Sequence, residues 1–309
     1  MKRFGVEHMI MGACYCLLAG VTILFGVAPG HVQGGGKEGH YVACKIAQSF
    51  FSKDTVQVVN ELIPDYAQND IASLCSWADN MRFRYHWSEP LHFIDTPDNN
   101  CGYDYSRDCH NEQGVEGMCL EGAIKNYTSQ LATYGHKSHG KKYNLTEALL
   151  FLSHFMGDIH QPLHVGFTSD RGGNSINLHW YRQKSNLHHV WDTGIIETTM
   201  KDFYNNDLEV MIEDVQRNIT EIWSKDVSTW EECNTDELAC PKLYANESII
   251  LACKWAYKDF EEDIVLGDDY FVSRLPIVEN QLAKAGIRLA ATLNRIFHST
   301  QNYNLQSEL

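Results

Sequence analysis

Apolar positions along this chain recur mostly at helical spacing. Val42, Ile46 and Phe50 are each four residues apart, so they share one face of a helix predicted over residues 38–51. The same spacing predicts helices over residues 56–63, 71–84, 120–134, 145–159, 207–223, 248–261 and 276–297. A β signal is confined to residues 175–182, and residues 87–116 are rich in loop formers. We therefore expect an all-α, multi-helix domain with long functional loops and a short β-ribbon.

The N-terminal segment differs from the rest. Basic Lys2 and Arg3 precede an apolar stretch over residues 9–27, followed by glycine and proline, as in a secretory signal. Cleavage before Gly35 suits the small residues there, and cleavage near Gly30 is the alternative. We predict a signal peptide over residues 1–34, one domain over 35–298, and a C-terminal tail over 299–309 that is open to trimming. No membrane anchor would remain after cleavage.

Composition narrows the class of protein. The chain has 309 residues, of which 44% are hydrophobic, enough for a sizeable core. A net charge of −15 argues against a broad basic surface for duplex nucleic acid, although bound metal ions could still hold a nucleic-acid substrate locally. Secretion agrees with an even number of cysteines beyond the signal and with four glycosylation sequons, at Asn126, Asn144, Asn218 and Asn246.

The strongest chemical signal is a histidine and a carboxylate four residues apart. His154 and Asp158 share a helix face inside an apolar run, where an uncompensated carboxylate costs several kcal/mol. A second pair with the same spacing follows at His188 and Asp192. Two such pairs make a bound metal the leading interpretation.

Further candidate ligands are His40, Asp79, His92 and His164. Imidazole and carboxylate ligands without thiolate suit zinc with an open coordination position, with manganese and iron as lesser options. Eight candidates exceed what one catalytic ion takes, so two or three ions are expected. By residue type alone, Phe93, Trp87 and Trp191 are expected in the core rather than as platforms for stacking bases.

The motifs together resemble the secreted three-zinc nucleases of plants and fungi, of the nuclease S-one and P-one type, and the plant bifunctional endonucleases most of all. The resemblance extends over residues 36–298. It is carried by Gly36-Lys37-Glu38-Gly39-His40, Trp77-Ala78-Asp79, Pro90-Leu91-His92-Phe93-Ile94-Asp95, Gly157-Asp158-Ile159-His160-Gln161-Pro162-Leu163-His164 and Asn186-Leu187-His188-His189-Val190-Trp191-Asp192.

The resemblance implies a single domain of the zinc phospholipase C and nuclease fold that holds three zinc ions. The first ion would be bound by Asp79, His92, His154 and Asp158, the second by His164, His188 and Asp192, and the third by His40, Asp158 and backbone groups of Gly35. The family has tryptophan where this chain has Gly35, so the third ion depends on cleavage before that glycine.

The implied activity is hydrolysis of phosphodiester bonds in single-stranded DNA and RNA to 5′-phosphate products, together with 3′-nucleotidase activity. Catalytic roles would fall to Arg82, Asp95 and Asp158. Substrate contacts would involve Asp79, Arg82, His92, Phe93 and Asp95, with Phe93 stacking on a base and Asp95 bonding to it. The resemblance also implies the disulfides Cys44–Cys75, Cys101–Cys253, Cys109–Cys119 and Cys233–Cys240.

Two alternatives remain open at this point. A zinc phospholipase C shares the fold, but its last ligand is a glutamate where this chain has Asp192. A secreted family member inactivated at Gly35 is the other. The main interpretation implies a monomer without a protein partner that is secreted, or retained in the vacuole or apoplast.

Overall fold

A buried central helix organises the chain in the computed structural model, which describes residues 36–135, 142–234, 237–258 and 264–307. This helix, α6 (Leu145–Asp158), begins at Asn144, whose side chain accepts a hydrogen bond from the backbone N–H of Glu147. All its residues from Ala148 to Phe155 are buried, as expected for a helix that is apolar on every side. The predicted signal segment and Gly35 lie outside the described residues.

Eleven further helices occur in the described residues. They are α1 (Lys37–Ser49), α2 (Lys53–Leu62), α3 (Trp77–Met81), α4 (Tyr105–Asp108), α5 (Leu120–Leu131), α7 (Leu187–His189), α8 (Ile195–Phe203), α9 (Leu208–Glu221), α10 (Val227–Glu231), α11 (Pro241–Leu251) and α12 (Asp268–Ser307). Short 3-10 turns cover Asp65–Ala67, Ile71–Leu74, His86–His92 and Pro162–Val165, and π-helical turns cover Val190–Gly194 and Ala252–Ala256. The expected mostly helical fold is confirmed.

The strands form one small sheet. Strand β1 (Asn177–Trp180) pairs antiparallel with β2 (Gln183–Asn186), and Trp180 lies opposite Gln183. Strand β3 (Val265–Leu266) pairs parallel with β1 on its other side. The predicted ribbon covers β1 alone, because β2 is polar throughout and β3 has only two residues, so neither has a detectable alternation of apolar and polar positions.

The prediction of one continuous helix over residues 71–84 is wrong. The chain forms a 3-10 turn over Ile71–Leu74 and then the short helix α3, with Cys75 and Ser76 between them. The carbonyl of Cys75 accepts a hydrogen bond from His154 Nδ1 at 2.7 Å, and its sulfur is bonded to Cys44. These tertiary contacts interrupt a segment whose apolar spacing would suit one helix.

Helix boundaries in the C-terminal half also differ from those predicted. Helix α12 begins at Asp268 and not near Pro276, because Tyr270 and Phe271 are buried and anchor the two turns before the proline. Helix α11 begins at Pro241, seven residues before the predicted start, with the proline in its first turn. Helices α8 and α10 were not predicted. Helix α12 also continues to Ser307, through most of the predicted tail.

Close packing of α1 against α12 depends on a glycine. A Cβ atom built on Gly286 would lie 2.4 Å from Ile46 Cγ2 and 2.9 Å from the carbonyl oxygen of Ala43. The backbone of α12 at Gly286 therefore packs directly against the side chain of Ile46 on α1. This contact fixes α1, the helix that carries His40.

Disulfides join the loops to this helical framework. The structure pairs Cys44 with Cys75, Cys101 with Cys253, Cys109 with Cys119 and Cys233 with Cys240. These are the pairs that the resemblance implies. Within the described ranges, no helix combines the length and the apolar character that crossing a membrane requires.

Gly286→Ala should lower the free energy of unfolding by about 1–3 kcal/mol, because the added methyl group overlaps Ile46 and Ala43. Urea denaturation would measure the change. The matched control is Gly102→Ala, whose Cβ would meet only Asn100 Oδ1, at an ordinary 3.7 Å. Equal stability of the two variants would contradict the close packing of α1 on α12.

Candidate metal centre

Eight predicted ligands converge from separate elements onto the end of α6. His154 and Asp158 lie on α6, and His40 lies in the first turn of α1. The remaining residues come from α3 (Asp79), from the 3-10 turns (His92 and His164), from α7 (His188) and from the π-helical turn over Val190–Gly194 (Asp192). Three groups of their side chains each bring nitrogen and oxygen atoms within 4.8 Å of one another: His40, His154 and Asp158; Asp79, His92 and His154; and His164, His188 and Asp192.

The two carboxylate oxygens of Asp158 face different histidines. Oδ2 lies 3.0 Å from His92 Nδ1 and 3.2 Å from His154 Nε2. Oδ1 lies 3.2 Å from His40 Nε2 and 3.4 Å from His164 Nδ1. The side chain is only 1% exposed. Among the described residues, every ion-pair partner of this carboxylate is therefore an imidazole.

The other two carboxylates face histidines in the same way. Asp79 Oδ1 lies 3.6 Å from His154 Nε2 and 3.7 Å from the ring of His92. Asp192 Oδ1 lies 3.3 Å from His164 Nε2, and its Oδ2 lies 3.2 Å from His188 Nε2. The helical spacing of His188 and Asp192 thus brings their side chains together, as it does for His154 and Asp158.

Backbone carbonyls fix three of the histidine rings. The Nδ1 atoms of His154, His164 and His188 donate to the carbonyl oxygens of Cys75, His92 and Gly172, each at 2.7 Å. A carbonyl can only accept, so each ring carries a proton on Nδ1, and in the neutral form of the ring Nε2 has the free lone pair. Metal-ligating histidines are oriented by the same kind of hydrogen bond.

A glycine beside Asp158 makes room for His40. A Cβ atom on Gly157 would lie 2.5 Å from His40 Nδ1, so any larger residue would push this ring away. The His40 ring stacks on His154 with centroids 3.9 Å apart. Gly157 belongs to the motif over residues 157–164, but its steric role depends on the packing of α1 against α6.

Electrostatics favour charged carboxylates despite their burial. Burial raises the pKa of Asp158, but the opposite charges of His154 and His164 outweigh it and hold the pKa well below its usual range. Burial likewise opposes ionisation of Asp79, and His154 outweighs it to lower the pKa of Asp79 to about 2. The site is therefore arranged for negative oxygen atoms that face cations.

The chemistry of the ligand set fits zinc. Ligand atoms about 2.0–2.1 Å from a tetrahedral zinc ion lie about 3.3 Å from one another. The distances from oxygens of Asp158 and Asp192 to histidine nitrogens that do not donate to a carbonyl, 3.0–3.3 Å, match this spacing. Nitrogen and oxygen donors with oriented rings could therefore hold such ions.

Of the substrate residues that are not themselves candidate ligands, Arg82 lies beside this cluster. Arg82 is 44% exposed, and its Nη1 atom lies 3.7 Å from Asp79 Oδ1. Phe93, in extended backbone, directly follows His92, and both Phe93 and Asp95 are partly buried. Burial raises the pKa of Asp95 to about 6, and the negative charge of Glu112 adds to this effect.

Gly36, the first residue that the structure describes, lies beside Asp192. The backbone N–H of Gly36 donates to Thr193 Oγ1 at 3.3 Å, and its positive φ of 51° suits glycine. A cavity of about 50 Å³ lies beside it, with Trp191, Ile196 and Leu282 in its wall. The predicted ligand Gly35 lies outside the described residues, so only its neighbour can be located.

Two supporting residues escaped the sequence interpretation. Gln161 donates from Nε2 to Asp192 Oδ1, and Thr193 accepts from Gly36. Gln161 lies three residues before His164, and Thr193 directly follows Asp192. A single polar residue next to a candidate ligand does not by itself indicate that it supports the ligand.

Trp191 is buried as expected, whereas the expectation that Trp87 lies in the core is wrong. Trp87 is 52% exposed, because its ring covers only the edge of an aromatic cluster that includes Tyr85 and Phe151.

Comparison with known proteins agrees with this geometry. The profile of the S1/P1 Nuclease family matches residues 35–298. Endonuclease 4 of Arabidopsis thaliana is 57% identical over 267 residues, which are 85% of this chain and 89% of that protein. Endonuclease 2 of the same plant is 54% identical over 278 residues, 90% of this chain and 95% of that protein.

A fungal relative is more distant. Nuclease S1 of Aspergillus oryzae is 31% identical over 274 residues, which are 85% of this chain and 92% of that protein. The family profile and all three relatives are thus named as nucleases or endonucleases. The chain belongs to the S1/P1 nuclease family.

Gly157→Ala should displace His40 from Asp158 and weaken metal binding by about 10–100-fold, the usual cost of disturbing the support of a ligand. Competition with a chromogenic zinc chelator would measure the affinity. Gly267→Ala is the control, since its Cβ would meet only Tyr181 at 3.9 Å. Unchanged zinc affinity in both variants would mean that His40 does not need this close approach.

Proposed function

We propose that this member of the S1/P1 nuclease family is a zinc-dependent endonuclease that hydrolyses phosphodiester bonds in single-stranded DNA and RNA and leaves 5′-phosphate products. The observation that carries the proposal is the buried Asp158, each of whose oxygens faces a different set of histidines. A carboxylate in this position is suited to bridge two ions. The relatives named endonuclease and nuclease support the same activity.

Divalent ions held by these residues would lower the pKa of a water molecule and neutralise charge on the phosphoryl oxygens. Asp79, His92, His154 and Asp158 would hold the first ion, and His164, His188 and Asp192 the second. Asp158 would join the first and third positions through its two oxygens. The hydrogen bonds from the imidazole Nδ1 atoms to backbone carbonyls would keep the rings aimed during turnover.

Arg82, Phe93 and Asp95 would act on the substrate directly. The exposed guanidinium of Arg82 lies beside Asp79, where it could stabilise negative charge that develops on the phosphoryl oxygens. Phe93 would stack on a base, and Asp95 would hydrogen-bond to that base. Stacking on an aromatic ring requires an unpaired base, which explains the expected preference for single strands and the low sequence specificity. The same site would release phosphate from 3′-nucleotides.

A third ion would need the free N-terminal amine of Gly35 together with His40 and Asp158. Gly36 lies beside Asp192 and donates its backbone N–H to Thr193. Cleavage after residue 34 is therefore a requirement of the proposal. The four disulfides and the four sequons support passage through the secretory pathway, and the protein would be secreted or retained in the vacuole or apoplast as a monomer.

A zinc phospholipase C is the alternative function on the same fold. Asp192 stands where that class has a glutamate, and family membership supports a nuclease. Hydrolysis of single-stranded DNA without hydrolysis of phosphatidylcholine is the result expected of the purified protein.

Asp158→Asn should lower kcat on single-stranded DNA by at least about 100–1000-fold, because the amide cannot supply the negative charge that two ions share. Release of acid-soluble nucleotides would measure turnover, and circular dichroism would check the fold. Asp207→Asn is the control, since asparagine also caps α9 in its place. Near-normal turnover of a folded Asp158→Asn protein would refute the bridging role.

Metal analysis of the secreted protein should find three zinc ions per chain when its N-terminal residue is Gly35, and two when cleavage occurs elsewhere. The amine of residue 35 is the only expected ligand that depends on processing. N-terminal sequencing and elemental analysis of one preparation would measure both quantities. Activity that persists in strong chelator, or a preparation free of transition metal, would contradict a metal-dependent nuclease.

A further inference from the structure

An exposed run of arginine and aromatic residues borders the metal centre. We call residues 82–87, Arg82-Phe83-Arg84-Tyr85-His86-Trp87, the arginine–aromatic segment. It begins three residues after Asp79 and ends five residues before His92, so both of its ends lead into candidate metal ligands. No acidic residue occurs between positions 80 and 88, although the whole chain has a net charge of −15.

Two aromatic side chains of the segment face solvent to an unusual degree. Phe83 is 74% exposed and Trp87 is 52% exposed. A single exposed aromatic residue is common on protein surfaces. Two of them within five residues, with exposed Arg84 and His86 between them, form a surface that combines aromatic rings with the positive charge of Arg84.

Hydrogen bonds hold this surface in shape. The backbone N–H groups of Arg84 and Tyr85 both donate to the carbonyl of Met81 at 2.8 Å, which ties the segment to the end of α3. The Tyr85 hydroxyl donates to Glu147 Oε1 on α6 at 3.0 Å. The segment therefore has a fixed position and runs from Arg82, beside Asp79, toward the N-terminal end of α6, where Glu147 lies.

We propose that the arginine–aromatic segment binds the single-stranded substrate outside the scissile phosphodiester. Phe83 and Trp87 would stack on bases of the adjoining nucleotides, and Arg84 would pair with a backbone phosphate between them. Alternation of stacking rings and cations suits single-stranded nucleic acid, because every base has a π-face and every nucleotide carries a negative charge. The inference rests on the proposed function, since it needs a polynucleotide at the metal centre.

The test compares a long substrate with a short one. The double variant Phe83→Ala and Arg84→Ala should raise KM for a twelve-residue oligothymidylate about tenfold, as expected for the loss of one stacked base. The kcat value should stay unchanged. Cleavage of the dinucleotide TpT, which is too short to reach the segment, should change less than twofold.

Two control variants separate binding from support of the fold. Phe83→Tyr keeps the ring and should keep the wild-type KM. Tyr66→Ala removes an aromatic side chain that is 73% exposed but follows an acidic residue, Asp65, and should have no effect on either substrate. Arg84→Ala alone should also reduce the slope of log kcat/KM against log salt by about 0.7, the contribution of one phosphate contact on a single strand.

Several outcomes would overturn the inference. If the double variant retains the wild-type KM for the oligonucleotide, or if TpT and the oligonucleotide lose activity equally, the segment does not bind the strand. Anisotropy of a fluorescent phosphorothioate oligonucleotide measures binding without turnover. A wild-type protein that binds this probe through the segment but cuts neither substrate would refute the proposed function and leave the inference standing.

Discussion

The buried carboxylate of Asp158 is the constraint on which the rest of the structure depends. A negative charge that is 1% exposed is costly unless cationic or proton-donating groups surround it, and here the surrounding groups are four imidazoles. Without metal, the charges of His154 and His164 compensate the carboxylate, but imidazoles that bind a metal are neutral and no longer do so. The arrangement therefore becomes favourable when positive ions lie between the oxygens and the rings, which links folding of the helix ends to metal binding.

The framework holds these groups at fixed positions before any substrate arrives. Helix α6 is buried along its length and brings His154 and Asp158 to one end, while α1 is clamped by its contact with Gly286. The Cys44–Cys75 disulfide fixes the carbonyl that orients His154. Because each ligand ring is supported by packing or by a backbone carbonyl, little reorganisation remains to be done during the reaction.

The two histidine–aspartate pairs of this site could be predicted from spacing alone. The contacts between residues far apart in sequence could not, for a physical reason. The pairs four residues apart lie on single helical elements, so local geometry already brings His188 to Asp192. His40 and His92 are far from Asp158 in sequence, so spacing does not predict that they contact it. Only the family resemblance indicated these contacts. The break at Cys75 and the start of α12 before Pro276 escaped prediction because tertiary contacts override local helical preference at both places.

The error at Trp87 exposes a general weakness of residue-type reasoning, since tryptophan is on average buried but is also suited to stacking on bases. Its environment decides between these roles, and here the ring stands at the edge of the core beside Arg84 and His86. On an acidic chain, a polyanion is repelled by most of the surface and attracted where cations are concentrated. The metal centre and the adjoining arginine–aromatic segment together supply such a region. A flexible single strand can follow both, whereas a stiff duplex would bring more of its charge against the acidic surface.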